Sequence, residues 1–245
     1  MTGKVWLVGA GPGDPGLITV RGLELIRSAD ALVYDRLVAQ TLIDQAPSHA
    51  ERHDVGKVPG HHSPAQQAEI NALLVQLARQ GKQVVRLKGG DAFVFGRGGE
   101  EACALVQAGV RFEVVPGVTS AVAAPAYAGI PVTHRGVAAS FAVATGHPGI
   151  HPPGIAHADT LVVLMAVGQL ELVVTTILDQ GRAPETPAAI VQAASTPRQR
   201  TILANLGTIL EAARQAQVEP PATLVVGPTV SLAEHLGWYA PGEPR

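Results

Sequence analysis

The stretch VVRLKGGDAFVFGRGGEE, residues 84–101, decides the fold. It opens as a buried strand carried by Val84, Val85 and Leu87 and runs directly into Gly89-Gly90-Asp91. Paired glycines after a strand let backbone approach a ligand, because neither carries a Cβ. In an open α/β sheet, ligands bind outside the carboxyl ends of the strands. Asp91 adds an acceptor-only group at that mouth, and Gly96, Gly98 and Gly99 prolong the permissive loop. A lone GGD usually means a tight turn with a helix N-cap. Five glycines, an acid and two phenylalanines in so short a run point instead to a small-molecule site.

Outward from this stretch, strand and helix signals alternate. Val5–Val8 reads as a strand, Thr19–Ala29 as a helix with Leu23 and Ile26 on its apolar face, and Ala31–Tyr34 as a strand ending at Asp35. Ser63-Pro64 is a helix start, cap then proline, and Ile70, Leu73, Leu74 and Leu77 keep helical period until Gly81. Phe112–Val115 is a further strand. This alternation predicts a parallel sheet with crossover helices. It restarts after residue 135, with strands at Ser140–Ala144, Leu161–Met165, Ala188–Gln192 and Leu224–Gly227 and helices at Gln169–Gln180 and Leu206–Gln217. The expectation is two α/β domains, 1–135 and 136–245, with a ligand cleft between them.

A chain of 245 residues, 47% apolar and with a formal charge of -2, has core enough for two domains and no basic excess or run to suit a nucleic acid. Four of its 18 cationic residues are lysines and the rest arginines. Arginine pairs bidentately with carboxylate and phosphate, so the bias suits a polyanionic ligand; an arginine-biased genome gives the same count. Cys103 stands alone, which excludes an internal disulfide and a cysteine-based metal site. Its helical neighbours suggest a buried, inert thiol. The apolar run Val5–Ala10 is too short for a signal peptide. The uncharged span Val114–Val132 is interrupted by Pro116, Pro125 and Pro131, against a membrane helix. The expected location is the cytoplasm.

The first strand runs into VGAGPGDPGLIT, residues 8–19, where Gly11, Gly13 and Gly16 satisfy G-x-G-x-x-G and Asp35 follows at a strand end. On spacing alone this is a dinucleotide site, hence an NAD-binding dehydrogenase. The chemistry is poor: Pro12 and Pro15 remove backbone donors, and Asp14 places negative charge where a pyrophosphate would sit.

Taken together, VGAGPGDPGLIT, DALVYDRLV (30–38), VGK (55–57), VVRLKGGDAFVFGRGGEE, EVVPGVTSAVAAPAYAGIPVTHR (113–135) and TPRQR (196–200) resemble the uroporphyrinogen-III C-methyltransferases, a branch of the tetrapyrrole (class III) methylases. The resemblance covers nearly the whole chain. It implies two α/β domains holding S-adenosylmethionine, with S-adenosylhomocysteine as product, no metal, and a homodimer. It carries the donor site onto Pro12, Gly89, Gly90, Asp91, Val94, Thr119, Ser120, Met165, Ala194 and Ala222. The sequence departs from the family pattern at Ala92, where proline is frequent, at Ala166, where glycine is, and at Ala194-Ser195 in place of Gly-Thr.

The implied reaction moves methyl groups to two pyrrole carbons of uroporphyrinogen III, C2 and C7, giving precorrin-2 for sirohaem or cobalamin. A reduced pyrrole is already a carbon nucleophile, so positioning supplies most of the acceleration. Methylation leaves a cationic ring that must lose a proton, which gives a general base a use. The family roles of proton acceptor and donor map onto Asp35 and Lys57. Arg36, Arg97 and Arg135, inside family motifs, are the candidates for the substrate carboxylates. Loop histidines 61, 62, 147 and 151 are read as solvated surface rather than metal ligands. A later corrin-ring methylase of the same superfamily and a non-catalytic S-adenosylmethionine sensor are the other readings; keeping Asp35 and Lys57 argues against the sensor.

Overall fold

The computed structural model describes residues 3–56, 64–147, 155–240 and 242. Its contacts divide the chain into two compact units, Met1–Thr119 and Ser120–Arg245.

The first unit runs β1 (Lys4–Gly9), α1 (Val20–Arg27), β2 (Ala31–Tyr34), α2 (Gln40–Ile43), β3 (Glu51–Asp54), α3 (Pro64–Arg79), β4 (Gln83–Lys88), α4 (Gly98–Gln107) and β5 (Arg111–Val115). Its sheet has the order β3-β2-β4-β1-β5, and every neighbouring pair is parallel. Parallel neighbours need crossover connections, and the helices supply them. Alternation along β4 divides its side chains between two faces. Val85 and Leu87 pack with Val8, Leu25, Ile26 and Leu32 on one. Val84 packs on the other with Val5, Leu7 and Val33, beneath Ile70 and Leu74 of α3 and Leu105 of α4.

The strands β1, β2, β4 and β5 and the helices α1 and α3 lie where the sequence places them. Thr19 caps α1, its Oγ1 accepting from the Gly22 amide at 3.0 Å. Ser63, the expected cap of α3, lies outside the described residues. Strand β3 has no apolar signal: among the described residues Glu51-Arg52-His53-Asp54 pairs only with β2, and charge suits such an edge. Cys103 is exposed rather than buried, because α4 turns Glu101, Ala102 and Leu105 inward.

The second unit runs α5 (Ser120–Tyr127), β6 (Phe141–Thr145), β7 (Thr160–Leu164), α6 (Leu170–Asp179), β8 (Pro187–Gln192), β9 (Arg200–Asn205), α7 (Ile209–Gln215), β10 (Ala222–Val226) and α8 (Ala233–Leu236). Its sheet order is β6-β7-β10-β8-β9. Only β6 and β7 are parallel; the other pairs are antiparallel. The α/β class expected from the sequence holds for both units. Strand β9 lies where no strand is read, because only Ile202 and Ala204 of it pack on the core. The sequence puts the join between domains near residue 135, whereas the contacts put it before α5, which packs on β7 and β10. No helix among the described residues is long and apolar enough to cross a membrane.

Candidate active site

At the carboxyl edge of the first sheet, three loops meet backbone to backbone. A Cβ on Gly9 would lie 2.6 Å from the Gly117 Cα and 2.7 Å from the Gly90 carbonyl oxygen. One on Gly117 would lie 2.4 Å from that same oxygen. No side chain fits in this corner. Gly11 and Gly90 exchange amide hydrogen bonds of 3.1 and 2.7 Å, both with positive φ, +82° and +69°. This bridge brings Pro12, which follows β1, beside the glycines that follow β4.

Asp91 closes the corner. Its Oδ1 accepts from the Phe93 and Val94 amides at 2.8 and 3.1 Å, and its Oδ2 from the Gly117 amide at 2.9 Å. Both oxygens therefore fasten backbone, and the carboxylate shapes the loop as an internal staple. Asp91→Ala is expected to cost about 1.5–3 kcal/mol, the range for one hydrogen bond to a charged group, and to weaken binding of S-adenosylhomocysteine. Chemical unfolding and calorimetry read the two effects. Gly89, half-buried, is spatially permissive: among the described residues, a Cβ there would meet only the Leu37 Cβ, at 3.5 Å.

Asp35 follows β2 at the same edge, its amide donating to the Leu87 carbonyl at 3.3 Å. Arg86 Nη2 donates to its Oδ1 at 2.6 Å. The Arg86 Nε donates to Glu101 Oε1 at 3.0 Å, and Lys88 Nζ reaches that same oxygen at 3.0 Å. Arg86 and Lys88 are each 2% exposed and Glu101 is wholly buried. Burial pushes the Arg86 guanidinium down, but the Asp35 and Glu101 carboxylates outweigh it and hold it above the ordinary arginine value. Lys88 is pulled below the ordinary lysine value by burial and then by Arg86, against the attraction of Glu101. Sequence reading misses this ionic layer. The signal was two cations, two residues apart, inside a strand that is buried on both faces.

Of the expected substrate arginines, Arg36 is exposed directly after Asp35. Arg97 is αL with φ 59° and already holds Glu100 bidentately, at 2.8 Å through Nε and 2.8 Å through Nη2. Arg135 is exposed in the second unit, in the loop that the His134–Ala138 bridge closes. Lys57, His61, His62 and His151 lie outside the described residues.

In the second unit, register gathers three expected donor residues at one end of the sheet. Thr223 pairs with Leu164 and Ala222 with Gln192, so Ala222 stands beside the residue after β7, Met165, and near Ala194 after β8. Met165 is 42% exposed. Met165, Ala193 and Ser195 all have positive φ, 56°, 47° and 62°. Strain of this kind in residues with a Cβ costs of order 1–3 kcal/mol each and clusters at ligand sites. Gln199 holds the loop: its Oε1 accepts from the Ser195 amide at 2.8 Å and its Nε2 donates to the Tyr127 carbonyl at 2.9 Å. Ser120 begins α5.

The glycine loop after β1 does not open onto a helix as a dinucleotide fingerprint requires. Asp14 instead accepts from the Gly16 amide at 2.8 Å, capping the single turn Pro15–Leu17, and α1 starts only at Val20. Among the described residues, no group of three or more histidines, cysteines, aspartates or glutamates is placed to hold a metal ion.

Comparison with known proteins identifies the family. Siroheme synthase 1 of Halorhodospira halophila is 50% identical over 97% of this chain, which spans only 50% of that protein's length. Uroporphyrinogen-III C-methyltransferase of Methanocaldococcus jannaschii is 49% identical over 96% of this chain and 99% of its own. The crystal structure of uroporphyrin-III C-methyltransferase from Thermus thermophilus complexed with S-adenosyl homocysteine matches with a TM-score of 0.81 and 43% identity, over 94% of this chain and 100% of that one. The family model for tetrapyrrole (corrin/porphyrin) methylases matches residues 4–210, and the chain belongs to that family.

Proposed function

We propose that this chain transfers methyl groups from S-adenosylmethionine to C2 and C7 of uroporphyrinogen III, giving precorrin-2 and S-adenosylhomocysteine. The observation that carries the reading is Asp35, a carboxylate at the carboxyl edge of the first sheet, held from behind by a buried arginine beside a corner made of backbone alone. When bound, S-adenosylmethionine supplies an activated sulfonium methyl group. The residues that would hold it are Pro12, Gly89, Gly90, Asp91, Val94, Thr119, Ser120, Met165, Ala194 and Ala222. Asp91 does so by setting the loop, since its oxygens serve backbone amides.

The residues of the chain then have three tasks. Arg36 and Arg135 meet substrate carboxylates, and Arg97 does so in competition with Glu100. Asp35 accepts the proton that the methylated ring must lose, through the oxygen that Arg86 leaves free. Lys57 returns a proton to the ring system. A homodimer in the cytoplasm, serving sirohaem or cobalamin synthesis, belongs to the same proposal.

Calorimetry separates this reading from a dehydrogenase. S-adenosylhomocysteine is expected to bind and NAD to give no heat. Binding of NAD with no response to S-adenosylhomocysteine would reject the methylase reading. Gly89→Val is the better probe of donor placement than a change at Gly90, whose positive φ strains any substitution.

A further inference from the structure

Asp35 has one carboxylate oxygen gripped and one left over. Arg86 Nη2 holds Oδ1 at 2.6 Å, while Oδ2 has no hydrogen-bond partner among the described residues. The Asp35 side chain is 31% exposed and that of Arg86 only 2%. Behind Arg86, Glu101 Oε1 accepts from Arg86 Nε and Lys88 Nζ, both at 3.0 Å, and from Gln67 Nε2 at 3.4 Å. Glu101 comes from α4, Gln67 from α3, and both cations from the central strand β4.

Such an array is weak evidence for stability, because well-packed apolar residues often replace buried ion pairs without loss. Its cost calls for another reason, and geometry supplies one. We infer that Arg86 is a positioning residue for the proton-accepting carboxylate: it fixes Asp35 through Oδ1, is itself fixed by Glu101, and leaves Oδ2 as the oxygen that meets the substrate. The inference rests on the reading of Asp35 as proton acceptor.

Arginine fits the task for two reasons. Its planar fork reaches two carboxylates from fixed directions, where the lysine ammonium is a single point on a flexible stem. It also stays charged in a buried setting that pulls Lys88 down. Lys88 hydrogen-bonds Glu101, balancing the second carboxylate, and feels Asp35 at longer range. The array holds Asp35, Glu101, Arg86 and Lys88, two charges of each sign.

A double-mutant cycle tests the inference, using the full chain with uroporphyrinogen III and S-adenosylmethionine. Arg86→Met, Asp35→Asn and the double variant are compared by single-turnover methyl transfer, with S-adenosylhomocysteine affinity as the control for an intact donor site. Arg86→Met is expected to slow transfer about a hundredfold, the size of effect that small misplacement of a reacting group produces. Donor affinity should stay near the parent value. The double variant should be no slower than Asp35→Asn alone, because Arg86 acts through Asp35. Should Arg86→Met not fold, Arg86→Lys takes its place, keeping the charge beside Glu101 and losing the fork. Additive losses, or a parent-like rate in the Arg86 variant, overturn the inference while leaving Asp35 as the base. A parent-like rate in Asp35→Asn removes the base reading and the inference together.

Discussion

Replacing Asp35 by asparagine is expected to slow methyl transfer about a hundred- to ten-thousand-fold, the usual contribution of a general base. Affinity for S-adenosylhomocysteine should stay near the parent value. Asparagine preserves the local frame. The backbone of residue 35 is held by its amide bond to Leu87, and an amide oxygen can still accept from Arg86 Nη2 in the place of Oδ1. The change falls on the other position, where an NH2 donor replaces the free carboxylate oxygen and cannot take a proton. Single-turnover transfer reads the step without product release. A folded variant that transfers methyl at the parent rate across neutral pH would make Asp35 a structural partner of Arg86 and place the base elsewhere.

The second large effect concerns stability. Glu101→Ala is expected to destabilise the chain by about 3–5 kcal/mol, the cost of breaking a buried ion array by removing one partner. The wholly buried Glu101 carboxylate meets both Arg86 and Lys88, so its loss removes the ion-pair partner of Lys88 and leaves Arg86 paired with Asp35. Its neighbour provides the contrast. Glu100 is 54% exposed and pairs with Arg97 at the surface, so Glu100→Ala should cost less than about 1 kcal/mol. Denaturant unfolding of the two variants side by side makes the comparison. Equal, small losses would mean that water reaches the cations of β4 and that the layer is not dry.

How far the sequence alone reaches is best seen in β4. Its apolar residues mark it as a buried strand, and the glycines after it mark the corner. Arg86 and Lys88 pass unnoticed because charge within a strand ordinarily faces solvent. Only pairing with β1 on one side and β2 on the other, under α3 and α4, makes their face an interior. Glu101, which answers them, lies beyond the loop on another element. Asp91 was legible as a group at the strand mouth, but one of its three amide partners, Gly117, comes from a distant loop. So its work as a staple could not be read locally. Strands β3 and β9 escaped for the opposite reason: edge position requires few apolar residues, and the sequence supplies few. The candidate residues after β7 and β8 come from family resemblance, since positive φ at Met165 and Ser195 leaves no compositional trace.

The measurement that tests the central claim most directly is mass spectrometry of uroporphyrinogen III incubated anaerobically with this protein and S-adenosylmethionine. The expected product carries two added methyl groups, with two equivalents of S-adenosylhomocysteine formed. A tetrapyrrole recovered without added methyl groups, from protein that binds S-adenosylhomocysteine, would contradict the assignment of uroporphyrinogen III as substrate.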